Sequence, residues 1–289
     1  MKKIAYVFDS SSSIKNDQYE DVFVVPLVIT EKENDIKTFY DGVDLFHDEL
    51  AKMLFENKNV GTSLANIHMC INLLDDLTSK YDEIYVFPIP RTLSSNYNTW
   101  VMISQDYKNV FVFEQYFVSA FMEWMLSDFK RKEKDGSLDV EYVKKYIEDT
   151  KKTMCGLLIV PDITFLKKGG RVSNFKAALI KLLKLNLLIT LDYNGLKFCD
   201  KAKNIEQAIT KAKKILKQKI NFSNETLNRV RILLNKNADK KFLIDDIFLE
   251  TKKSFNFSDN LEIAEIPSVI MVHTGPNYFV ICLDCSKKN

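Results

Sequence analysis

Glycine and proline are scarce, at 8 and 6 of 289 residues. With so few glycines there is no glycine-rich phosphate loop. Neither G-x-x-x-x-G-K-[ST] nor G-x-G-x-x-G occurs, which argues against autonomous nucleotide chemistry. G-x-S-x-G and H-E-x-x-H are missing as well, so no nucleophile elbow and no zinc-protease helix is written into the chain. Five of the 41 basic residues are arginine, and acidic residues number 39, for a formal net charge of +2. Such balance gives no electrostatic reason to expect nucleic acid as a partner. No run of 18 uncharged apolar residues occurs, so no segment is expected to span a bilayer. Histidine is limited to His47, His68 and His273.

The cysteines, Cys70, Cys155, Cys199, Cys282 and Cys285, are odd in number and mostly scattered. That pattern suits reduced thiols in a reducing compartment. Cys282 and Cys285 form a C-x-x-C, but the surrounding Tyr278–Leu283 reads as a terminal strand. Residues three apart on a strand face opposite sides, and there is no second C-x-x-C, so no metal site is expected. The opening Met1–Phe8 has the start of a leader-like pattern, but Asp9 cuts the apolar stretch short. It reads as a first buried strand of a cytoplasmic protein.

What is present is ordinary globular composition, 46% hydrophobic and 12% aromatic. The length exceeds what one compact core usually needs, so two lobes are expected. Apolar stretches at Ile4–Phe8, Val22–Ile29, Glu83–Ile89, Asn109–Phe113 and Met154–Val160 read as strands. Helical patterns fall at Leu45–Phe55, Ile67–Leu77, Ser94–Tyr107, Tyr116–Lys132 and Val140–Lys152, with Lys130–Gly136 read as a solvated turn. This alternation predicts an α/β N-terminal lobe, residues 1–160, with a mainly parallel sheet flanked by helices.

Pro161 interrupts the pattern. Leu187–Leu191 and Leu196–Cys199 flank Asp192-Tyr193-Asn194-Gly195, a hairpin signal in which Asn-Gly supplies positive φ. Helices near Ile205–Lys219 and Lys240–Phe255 alternate with strands near Asn228–Leu234, Leu261–Ile266 and Tyr278–Leu283. Residues 161–289 are therefore expected to form an α+β lobe with a mixed sheet.

Ligands of parallel sheets bind outside the carboxyl ends of the strands. Polar clusters fall in such places: Asp9-Ser10-Ser11-Ser12, Thr62-Ser63, and Leu93-Ser94-Ser95. Each can simply cap a helix, and a helix N-terminus with a free hydroxyl can also receive an anion. The second lobe adds Lys167-Lys168-Gly169-Gly170-Arg171 and His273-Thr274-Gly275-Pro276. The double glycine permits close approach or positive φ, and Arg171 offers a planar fork to a carboxylate or phosphate. A surface ion pair at Arg171 and a structural role for His273 are the plain alternatives.

In order and spacing these pieces resemble the DegV family of bacterial fatty-acid-binding proteins, from Ile4 to Ile281. The matching segments are Phe8-Asp9-Ser10, Val25-Pro26-Leu27, Tyr40-Asp41-Gly42, Gly61-Thr62-Ser63, and Leu93-Ser94 with Tyr97. Phe165–Val172 with its K-K-G-G-R, and His273–Pro276, complete the set. The resemblance implies a two-lobe DegV-like fold, α/β then α+β, that binds one long-chain fatty acid such as palmitate, stearate or oleate in a buried tunnel. The carboxylate would sit at the lobe interface. Carried over by motif, Thr62, Ser63, Ser94 and His273 would hydrogen-bond that carboxylate. Gly169, Gly170, Arg171, Thr274 and Ser95 would lie near it or face a partner. The partner implied is a separate fatty acid kinase that makes the acyl phosphate for phospholipid metabolism. The chain itself would be a non-catalytic cytoplasmic carrier, without cofactor, metal or nucleic acid, and with at most transient membrane contact.

The chain departs from the family pattern at Pro90-Arg91, Ser95, Asn96, Glu114-Gln115 and Asn277. Two other readings stand beside the carrier: an acyl hydrolase or transferase using Ser94 or Ser63 with His273, and a diverged interaction protein that binds no lipid. The apolar stretch Phe175–Leu191, with Leu179, Ile180, Leu182, Leu183, Leu187 and Leu188, is where tunnel walls are expected. If His273 titrates near neutrality as an imidazolium, its loss should weaken binding more at pH 6 than at pH 8.

Overall fold

The computed structural model describes residues 2–16, 18–33, 35–171, 185–220, 228–237 and 262–286. In chain order the described elements begin with β1 (Ile4–Asp9), β2 (Val22–Val25), β3 (Val28–Lys32), β4 (Ile36–Tyr40), α1 (His47–Phe55), β5 (Val60–Ser63) and α2 (Ile67–Thr78). Then come β6 (Glu83–Phe87), α3 (Asn96–Ser104), β7 (Val110–Val112), α4 (Ala120–Lys134), α5 (Val140–Thr153), β8 (Met154–Val160) and α6 (Thr164–Gly169). The last are β9 (Asn186–Asp192), β10 (Gly195–Ala202), α7 (Ile205–Ile220), β11 (Arg229–Leu234), β12 (Glu262–Ala264), α8 (Ser268–Thr274) and β13 (Phe279–Asp284).

Two compact units result: Met1–Glu148 with Pro267–Val269, and Asp149–Ile266 with Ile270–Asn289. The division falls before the residue-160 boundary read from Pro161, because β8 pairs with β9 and β13 in the second unit's sheet.

In the first unit, β2-β1-β6-β7 form a wholly parallel four-stranded sheet. Burial on both faces explains why its central strands read as unbroken apolar runs, and all six residues of β1 are buried. One face packs on α4 and α5 through an aromatic-rich core of Tyr6, Phe8, Tyr85, Phe87, Phe113 and Phe129. Phe8 stacks on Phe87 at 5.2 Å between ring centroids, and Phe87 on Phe113 at 5.1 Å. The single strand expected over Val22–Ile29 is two strands in different sheets. Pro26, which has no N–H for a ladder, separates β2 from β3. Strand β3 joins a second, antiparallel sheet of order β4-β3-β5 that the sequence did not announce. Lys130–Lys134 is not a turn but the end of α4. Lys130 lies 4.4 Å over the Tyr6 ring and pairs with Asp21 and Glu133.

The second unit is a mixed six-stranded sheet of order β10-β9-β8-β13-β11-β12, in which only β11 and β12 run parallel. Helix α7 covers one face, burying Ala208, Ile209, Ala212 and Leu216 against Leu157, Leu188, Ile232 and Ile281. The β9–β10 hairpin forms as expected, but only Gly195 takes positive φ, at 84°. Cys282 is buried on β13, and every cysteine is a free thiol. The expected helix Lys240–Phe255 lies outside the described residues, as do Leu179, Ile180, Leu182 and Leu183. Leu187 and Leu188 are buried strand residues of β9, and Leu188 belongs to the core beneath α7. No helix among the described residues is long and apolar enough to cross a membrane.

Candidate functional site

In the first unit the polar clusters meet at the carboxyl ends of β1 and β6. Asp9, the last residue of β1, is fully buried. Its Oδ1 accepts from the Ser11 backbone N–H at 3.1 Å and the Ser11 hydroxyl at 2.5 Å. Its Oδ2 accepts from the Ile89 N–H at 2.7 Å and from Asn96 Nδ2 at 2.9 Å. Burial pushes the Asp9 carboxyl above its ordinary range, and these donors pull it back toward the charged form. Ser10 Oγ accepts from the Leu27 N–H at 3.0 Å, and Ser13 Oγ lies 2.8 Å from Ser119 Oγ. Ser119 holds a positive φ of 58° while donating its N–H to the Ser11 carbonyl.

Thr62 and Ser63 do not cap the helix that follows them. Thr62 and Ser63 are the last residues of strand β5, paired with Ile29 and Val28. The cap of α2 is Asn66, whose side chain accepts from His68 N and Met69 N. Thr62 is half-buried and Ser63 exposed. Ser94 precedes α3, and its Oγ accepts the Asn96 N–H at 3.2 Å, which leaves the Ser94 O–H to donate elsewhere. Ser95 occupies the cap position of α3 without a side-chain cap bond, and it is exposed. The two loops are tied together, since Asn96 Oδ1 accepts the Ala65 N–H at 3.2 Å.

Asp41 is a further buried carboxylate in this unit. It accepts the Val269 N–H at 3.2 Å and hydrogen bonds from Ser10 and Ser268. It therefore caps the start of α8 from a distance in sequence. Burial is the main cause that lifts its carboxyl to about 6. The sequence flagged Tyr40-Asp41-Gly42 only as a pattern match.

In the second unit the structure brings Gly169, Gly170, Arg171, His273 and Thr274 into one neighbourhood. Helix α6 ends at Gly169, and Gly170 takes the left-handed conformation at φ 72° that closes such helices. The Arg171 guanidinium turns back to donate to the Gly169 carbonyl at 2.5 Å. His273 lies in the last turn of α8, a helix that the Gly275-Pro276 stop signal could have disclosed. Gly275 ends it at φ 80°, donating its N–H to the Met271 carbonyl at 2.8 Å, and a Cβ there would stand 2.5 Å from the Phe165 ring. The His273 imidazole lies directly against Gly169, where an added Cβ would stand 2.1 Å from Nδ1. Thr274 is buried, and its hydroxyl donates to the Gly275 carbonyl at 3.3 Å.

This packing overturns the titrating imidazolium. Burial first, and the Arg171 charge second, push His273 down to about 3. Burial also lowers the Arg171 guanidinium. At pH 6 and at pH 8 the imidazole is neutral, so it acts as a hydrogen-bonding group and not as a charge. The second unit thus sets a neutral imidazole and a partly dehydrated guanidinium side by side. The first sets two hydroxyl loops on a shared buried carboxylate.

The comparisons place this chain among known proteins. The family model described as "Uncharacterised protein, DegV family" matches residues 3–284. A DegV domain-containing protein of Mycoplasma genitalium is 30% identical, with 98% of each chain aligned. Among solved structures, a fatty acid binding DegV family protein from Streptococcus agalactiae aligns with a TM-score of 0.84 at 19% identity, covering 99% of this chain and all of that one. A stearic acid-binding protein from Eubacterium ventriosum gives a TM-score of 0.80 at 20% identity over 98% of both chains. The match of the family model over nearly the whole length, with the relative at this identity, shows that the chain belongs to the DegV family.

Proposed function

We propose that this chain binds one long-chain fatty acid, such as palmitate, stearate or oleate, as a non-catalytic cytoplasmic carrier. Thr62, Ser63, Ser94 and His273 are read as the hydrogen-bond partners of the ligand carboxylate, with Arg171 near it. The observation that carries this reading is the neutral His273 imidazole set against Gly169 beside Arg171. Neutral donors suit a carboxylate that must leave water. Burying the methylenes of a roughly 16-carbon chain supplies about 10 kcal/mol of gross driving force. Association entropy takes back a large share, and an unpaired buried carboxylate would cost several kcal/mol more. Hydroxyls and an imidazole offset that cost without burying a lysine. Acyl-phosphate formation is assigned to a separate fatty acid kinase, following the family resemblance, with this chain presenting the substrate.

Titration with oleate tests the reading. One equivalent should bind, and Ser94→Ala and His273→Ala should each weaken binding about tenfold, the effect of losing a hydrogen bond to a charged group. Burial and the Arg171 charge both disfavour an imidazolium at His273, so the loss at His273→Ala should differ little between pH 6 and pH 8. A loss concentrated at pH 6 would restore the imidazolium. Failure of the unmodified chain to bind oleate would remove the carrier reading.

A further inference from the structure

The structure assigns Asn96 to a positioning role: its amide fixes the Ser94 loop against the Thr62-Ser63 loop and so sets recognition of the ligand's carboxylate, as distinct from its hydrocarbon. The inference rests on the carrier reading and deepens it. Asn96 is fully buried as the first residue of α3. Its Nδ2 donates to Asp9 Oδ2 at 2.9 Å, its Oδ1 accepts the Ala65 N–H at 3.2 Å, and its own N–H donates to Ser94 Oγ at 3.2 Å. Ala65 lies three residues beyond Thr62, and Asp9 Oδ2 also holds the Ile89 N–H that leads into the Ser94 loop. One side chain therefore ties together the loops after β1, β5 and β6.

The chemistry of the position is restrictive. The side chain must donate toward a carboxylate and accept from a backbone N–H at the same time, which a planar amide of this length does. Aspartate at 96 would set a second carboxylate against Asp9, and leucine would leave Asp9 Oδ2 and the Ala65 N–H each short of a partner. Serine is too short to reach both. Ser94 is also oriented by this network. With its oxygen accepting from Asn96 N–H, its hydroxyl hydrogen is the part left to give to an anion.

The test compares oleate with oleyl alcohol, which shares the chain and lacks the charge. In the unmodified protein oleate should bind more tightly than the alcohol. Asn96→Ala and Asn96→Ser should reduce that preference about tenfold, as expected for misplaced donors to a charged group. Affinity for oleyl alcohol should stay within about twofold in both variants. Parallel losses for both ligands, or no change for either, would overturn the positioning role, since a merely structural residue affects both alike. If neither variant folds, amide hydrogen exchange on the unmodified protein decides. Oleate should slow exchange at Ala65 and Ile89 more than oleyl alcohol does, and equal protection would overturn the proposal. No oleate binding by the unmodified chain would instead overturn the carrier reading itself.

Discussion

Gly169→Ala is expected to lower fatty-acid affinity by about tenfold or more, while Gly170→Ala, one residue further on, leaves it within about twofold. The difference is steric. A Cβ at 169 would stand 2.1 Å from His273 Nδ1 and 3.1 Å from both Cγ and Cε1. An imidazole anchored in the last turn of α8 cannot yield to that by a small shift, because three of its ring atoms are affected together. The ring must leave its place, and the hydrogen bond assigned to it goes as well. At Gly170 a Cβ meets nothing within 4 Å, but the φ of 72° disfavours any side chain. That substitution should cost about 1–2 kcal/mol of stability through backbone strain alone. Titration with oleate, paired with thermal unfolding of both variants, separates the two effects. Equal affinity in Gly169→Ala and the parent protein would mean that His273 does not touch the ligand.

Asp9→Asn is expected to destabilise the fold by about 3 kcal/mol although it keeps the shape of the side chain, because a buried donor left without its acceptor costs roughly 1–3 kcal/mol each. Four donors converge on Asp9: the Ser11 N–H, the Ser11 hydroxyl, the Ile89 N–H and Asn96 Nδ2. Replacing one oxygen by NH2 turns an acceptor into a donor facing donors. Asp9→Ala should cost more, since it empties the site as well. Denaturant unfolding of the two variants gives the comparison. A loss below about 1 kcal/mol for Asp9→Asn would show that surrounding water or rearranged partners carry this network, contrary to its buried geometry.

The two units were legible to different depths, and the reasons are local. Ile4–Phe8 and Met154–Val160 are central strands buried on both faces, and such strands advertise themselves as apolar runs. The Asp192–Gly195 turn was equally plain, because glycine at a tight turn is a local requirement. Strand β4 was not, since its first three residues, Ile36 to Thr38, are exposed and leave no alternation to detect. Of the two roles open to Thr62 and Ser63 in sequence, capping falls instead to Asn66, three positions beyond Ser63. Helix α8 was hidden by its length of seven residues, too short for a hydrophobic period.

The candidate site shows the same division. Gly169, Arg171 and His273 could be picked out by type and spacing. Their mutual contact joins α6 to α8 across about a hundred residues, and no local pattern carries that. Asn96 stood out only as a departure from the family pattern, and its role depends on Asp9, 87 positions earlier in the chain. Neutrality of His273 was likewise beyond sequence, because it follows from burial and from the nearness of Arg171. Long-range hydrogen bonds and desolvation set these features, and both exist only once the chain has folded.

Native mass spectrometry of the purified protein, with lipid extraction from the same sample, decides whether the chain carries a fatty acid. A complex of one chain with one long-chain fatty acid is expected, released on denaturation and identified as palmitate, stearate, oleate or a close homologue. A ligand-free mass that stays unchanged after incubation with excess oleate would contradict it.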